Sequence, residues 1–236
     1  MKNRLIKTLN INRFKLVLLL EGLLVGILAG LVIVGYRICL TNGALWLQRI
    51  LAYCKQSIFT IIIWFVILFV IALVVTKLLD WESLISGSGI PQLEGELAGK
   101  IDAKWWRVLI AKFFGGFLAN FSGLALGREG PSIQLGAMVG KGIGKVLKRG
   151  KTEERYLLTC GASAGLAAAF HAPLAGVMFA LEEVHKHFSA PLLISVMTSS
   201  IAADYLMSSI LGMAPVFSFN IHGTLPTQYY WMVIIL

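Results

Sequence analysis

Apolar residues run along this chain in long blocks, and polar residues gather between the blocks. The first block, residues 16–40, is interrupted only by Glu21 and Arg37, and the second, IFTIIIWFVILFVIALVVTKLL at 58–79, is the cleanest. Each matches the ~20 apolar residues that a helix needs to cross a hydrocarbon core about 30 Å thick. Further helical blocks are expected at 105–126, 129–147, 153–170, 173–188 and 190–212, and the closing run YYWMVIIL reads as the beginning of another. The stretch 41–57 reads as a loop, and IPQLEGELAG at 90–99 is too short to span. LLTCGASAGLAAAF, at 157–170, is rich in the small side chains that let membrane helices pack closely. The pattern predicts an all-α polytopic membrane protein.

Composition sharpens this. The chain is 57% hydrophobic and 14% charged, with a mean hydropathy of +0.79, whereas soluble domains carry about 25% charged residues. The net charge of +9 fits basic cytoplasmic loops better than nucleic-acid binding, so no nucleic-acid partner is expected. Lys2, Arg4, Lys7, Arg13 and Lys15 precede a span-length run without a small-residue cleavage site, which reads as a first span and not a cleaved signal. Cys39, Cys54 and Cys160 show no metal spacing and read as small apolar residues, with a Cys39–Cys54 bridge across the first loop as the lesser alternative. No metal or cofactor is expected.

Beyond the N-terminus, Lys and Arg cluster at 77–107 and at 141–155, while 213–227 holds none. Spans alternating from a cytoplasmic N-terminus place every rich cluster on the cytoplasmic side.

Two segments break the apolar pattern in the same way: GSGIP at 87–91 and GREGP at 127–131. Each joins glycines to a proline at the start of a helical run, where the missing proline N–H costs nothing. A helix start inside the membrane presents unpaired N–H donors and the positive end of the dipole, which together suit an anion. Broken helices aimed at the midplane mark transport sites. Glu129 stands at such a start, so its carboxylate can compete with the anion and withdraw when protonated. Arg128 is read as giving its backbone N–H, with its side chain solvated or paired outward.

GSGIPQLEG (87–95) and GREGPSIQLG (127–136) resemble the first two signature motifs of the CLC family of chloride channels and proton/chloride antiporters. The similarity continues through KFFGG (112–116) and TCGASAGLAAAFHAPLAGVMFALEE (159–183). The resemblance implies a homodimer with one anion path per subunit, each built from two inverted halves whose broken helices meet at the midplane. It implies a chloride ligand held by the Ser88 hydroxyl beside Gly89 and by backbone N–H groups around Arg128, Glu129 and Gly130. Glu129 would be the gate and external proton carrier, and Glu183 the internal one. Residues 1–15 would be a basic cytoplasmic tail, 16–212 the first inverted half, and 213–236 a loop and the start of the second half. The family's third motif, Gly-x-Phe-x-Pro, and its late tyrosine are missing, so a second half-domain is expected as a partner.

Several residues have blander readings. Glu182 and Glu183 can be a solvated helix end, and His185 and His187 read as interfacial bystanders. Glu21, within a span, is expensive enough to expect a partner. Ser163 in GASAG with His171 raises an intramembrane serine protease, but eight residues of helix separate them by about 12 Å of rise. The expected activity is therefore not enzymatic. It is proton-coupled chloride antiport in the plasma membrane of a prokaryote, the alternatives being a passive gated channel or a non-conducting half-chain that only assembles with a partner.

Overall fold

The computed structural model describes residues 2–55, 57–186, 189–213 and 231–232, with 2–15 described as backbone alone. The helix expected from YYWMVIIL falls almost wholly outside these residues, as does His187. The described residues form helices α1 (Lys2–Cys54), α2 (Ile58–Trp81), α3 (Ile90–Leu97), α4 (Trp105–Phe121), α5 (Glu129–Val146), α6 (Lys151–Phe170), α7 (Pro173–Phe179) and α8 (Ala190–Leu211). Among the described residues, Leu16–Cys54, Ile58–Trp81 and Ala190–Leu211 are helices long and apolar enough to cross a membrane.

Two expectations need correction. The stretch 41–57 is not a loop, because α1 continues to Cys54. Its sequence there, TNGALWLQRILAYC, contains one glycine and no proline, so nothing breaks the helical hydrogen bonds. The block at 173–188 is not one helix. After α7 the chain widens into a π turn at Ala180–His185, which Lys186 ends in left-handed geometry at φ 57°. Cys39, Cys54 and Cys160 are free thiols, which removes the disulfide alternative.

The interior is built on α5, whose residues from Ser132 to Gly144 are all buried. Small residues let its neighbours approach. A methyl on Gly136 would strike the Gly161 carbonyl of α6, and one on Gly165 would strike Ser132 O of α5. Along α1, Gly22, Gly26 and Gly30 recur every fourth position and lie against the Ser195, Ser199 and Ala203 backbone of α8. This is the small-residue packing that replaces hydrophobic attraction within a bilayer.

Two buried charges of the bundle, Glu21 and Lys141, form ion pairs. Glu21, 8% exposed, meets Arg149 just beyond α5, which supplies the partner its position demands. Lys141 of α5 is fully buried and pairs with Glu96 of α3. It also donates to Asp102 Oδ1 at 2.7 Å and to Ala103 O at 2.7 Å. α3 and the loop after it are thereby tied to the middle of the bundle.

Candidate functional site

The two proline-started helices meet. A Cβ on Gly130, at the first turn of α5, would come 2.5 Å from Ser88 O and 2.9 Å from Ser88 Cα. Gly89, at φ +91°, caps α3 in the left-handed geometry that glycine adopts without strain. Around this contact lies a cavity of about 480 Å³ whose walls include Ser88, Glu129, Gly130, Lys112 and Gly116.

Among the described residues, the local bonding leaves hydrogen-bond donors unused at its walls. Ser88 Oγ accepts from Ile90 N–H at 3.4 Å, so the hydroxyl proton remains to be donated elsewhere. In α5 the Ser132 N–H closes back on Arg128 O at 3.1 Å, which leaves the Glu129 and Gly130 N–H groups at the helix mouth. The Glu129 carboxylate folds back over Gly127, where a side chain on residue 127 would collide with its Oε2. A carboxylate so placed sits at the positive end of α5, where negative charge is favoured.

Of the residues anticipated for the anion, Ser88, Glu129 and Gly130 share this cavity. Gly89 is buried against the Gln134 side chain. Arg128 lines a smaller neighbouring cavity of about 30 Å³ with Tyr36 and Asn120. Its side chain is half-buried, and its charge lies within electrostatic range of Arg37. Glu183 is outside both cavities. It is exposed on the π turn, as is Glu182.

Two residues were overlooked. Lys112 of α4, 4% exposed, donates to Ile85 O at 2.8 Å and to Gly87 O at 2.7 Å. A lysine within an apolar span is costly, and that signal, applied in the sequence to Glu21, fits Lys112 equally. Gln134 of α5, 2% exposed, donates to Leu84 O at 2.8 Å. Nothing in its pattern set it apart from other polar residues on a buried helix.

Among the described residues Ser163 and His171 do not form a protease pair. Ser163 is fully buried and bonds to Ser200, while His171 lies past the end of α6. Arg37 Nη1 donates to His171 Nε2 at 3.0 Å, and the other ring nitrogen, Nδ1, is 3.3 Å from both Ser208 Oγ and Asp204 Oδ1. The serine near the imidazole is therefore Ser208, while Ser163 is engaged by Ser200, and a relay needs the nucleophile itself on the base.

On the page of known proteins this architecture has clear counterparts. The family described as voltage gated chloride channel matches residues 68–236. The chain is 46% identical over 130 residues to a Vibrio cholerae protein named H(+)/Cl(-) exchange transporter ClcA, covering 54% of this chain and 28% of that one. The Citrobacter koseri protein of the same name is 34% identical over 233 residues, covering 94% of this chain and 48% of that one. A crystal structure of a slow cyanobacterial Cl−/H+ antiporter superposes with a TM-score of 0.78 at 33% identity, over 92% of this chain and 52% of that one. The chain spans about half the length of the relatives it matches along most of its own. Its two motifs, its meeting helix starts and these likenesses place the chain in the CLC family of voltage-gated chloride channels and transporters.

Proposed function

We propose that this chain forms the first half of a proton-coupled chloride antiporter. One observation carries the reading: the start of α5 touches Ser88, and Ser88, Glu129 and Gly130 line one cavity. Backbone amides and a hydroxyl hold the anion, while the Lys112 ammonium in the cavity wall is engaged by the Ile85 and Gly87 carbonyls; partial-charge ligands suit rapid passage. Glu129 competes for the same helix mouth when ionised and vacates it when protonated. Glu183, exposed on its π turn, takes protons from the opposite, cytoplasmic side. The relatives named as H(+)/Cl(-) exchangers support coupling over passive conduction. The working assembly is a homodimer in a prokaryotic plasma membrane, with the N-terminus cytoplasmic and a second half-domain completing each path. It performs no catalysis and needs no cofactor.

The test is flux in vesicles holding the chain together with the second half of a related antiporter. A chloride gradient should drive protons against their own gradient. Chloride movement without protons would make the assembly a passive channel. No flux, with assembly intact, would leave a non-conducting partner.

A further inference from the structure

Four successive carbonyl oxygens on the approach to α3 are each taken by a side-chain donor. Leu84 O accepts from Gln134 Nε2 at 2.8 Å, Ile85 O and Gly87 O accept from Lys112 Nζ at 2.8 and 2.7 Å, and Ser86 O accepts from Gln92 Nε2 at 2.9 Å. The donors come from α5, α4 and α3, so three separate helices converge on one short irregular segment. A free carbonyl beside an anion cavity turns the negative end of its dipole toward the ion. A carbonyl already accepting a hydrogen bond has that end compensated.

Gln134 keeps its place at a cost. Its Oε1 is buried with no hydrogen-bond partner and presses on Gly89, where a Cβ would come 2.5 Å from it. An unsatisfied buried acceptor is unfavourable, and such local violations gather at functional sites. The amide is tolerated in this orientation because its other end holds Leu84 O.

We propose that Gln134 and Lys112, assisted by Gln92, are positioning residues that keep the carbonyls of residues 84–87 occupied, so that this segment turns no free carbonyl dipole toward an anion in the Ser88 cavity. The proposal rests on the reading of that cavity as the chloride site. Because the peptide unit is planar with C=O and N–H opposed, fixing Ser86 O and Gly87 O also fixes the directions of the Gly87 and Ser88 N–H groups. Gln134 is the informative member. It is neutral, and it is not among the residues lining the cavity, so its effect on an anion passes through the segment it holds.

The experiment is calorimetric titration of chloride into the full chain purified from membranes, with thermal melting measured alongside. Ser88→Ala serves as the site control and should weaken binding. Gln134→Met, which removes the donor without changing charge, should weaken chloride roughly two- to tenfold, the worth of about one net hydrogen bond. Gln92→Met, at a half-buried position, should act in the same direction and carries the test should Gln134→Met fail to fold. Unchanged chloride affinity in the folded variants, with or without a lower melting temperature, would overturn the clamp while Ser88→Ala upholds the site. Chloride binding indifferent to Ser88→Ala would overturn the site, and the clamp with it.

Discussion

Gly130 and Ser88 touch through their backbones, the first turn of α5 resting on the segment that leads into α3. No side chain fits between them, so the two helix starts are held close together. Gly130→Ala should force them apart. Overpacking a tight contact costs about 1–3 kcal/mol, and here the strain falls on the site itself. Chloride affinity should drop more than the melting temperature suggests, as calorimetry and thermal melting on one preparation will show. A variant that binds chloride normally would mean that the contact is only packing.

Glu129→Gln should leave chloride flux intact and make it insensitive to external pH, since no group remains at the mouth of α5 to be protonated. Proton coupling should vanish in the same variant. If Glu129 were instead a structural partner of Arg128, its removal would leave a charge uncompensated at a cost of about 3–5 kcal/mol, and the protein would fold poorly. Anion flux against pH, measured on well-folded protein paired with its second half, separates these outcomes. Retained pH gating with coupled protons would sink the gate assignment.

Glu183→Gln should abolish proton movement and spare chloride movement, because the amide keeps the shape and carries no proton. The π turn leaves both Glu182 and Glu183 exposed, so Glu182→Gln is the necessary companion. Proton transport that survives the first change and fails in the second would move the internal role to Glu182.

Lys141 predicts a stability effect distant from the anion. Lys141→Met leaves the Glu96 side chain, only 9% exposed, without its partner, and should cost about 3–5 kcal/mol. Lys141→Met combined with Glu96→Gln should recover much of the loss, read as thermal midpoints of the purified chain.

The same lysine sets a pH dependence. Its hydrogen bond and charge hold the Asp102 carboxyl below the usual aspartate value. A carboxylate lowered by folding stabilises the fold above its unfolded value, about 3.9, and loses that contribution as pH falls through the lower folded value. Asp102 is 83% exposed, so solvent screens the pair and the contribution is small. Asp102→Asn should therefore shift the acid melting profile slightly, and far less than Lys141→Met shifts the neutral one.

The sequence by itself determined the all-helical membrane class, most helix positions and the two proline-started breaks. Those depend on local matters: span-length apolar runs, glycine and proline geometry, and the cost of a charge within a span. The start of α5 at Glu129 and of α3 at Ile90 needed nothing distant. Tertiary structure alone decided that residue 130 would rest on residue 88, that Glu21 would meet Arg149, and that Lys112 and Gln134 would take the carbonyls of residues 84–87. Such pairings join positions far apart in the chain. They follow from how the helices pack against one another, close approaches that small residues allow, and no local pattern of residues contains that outcome.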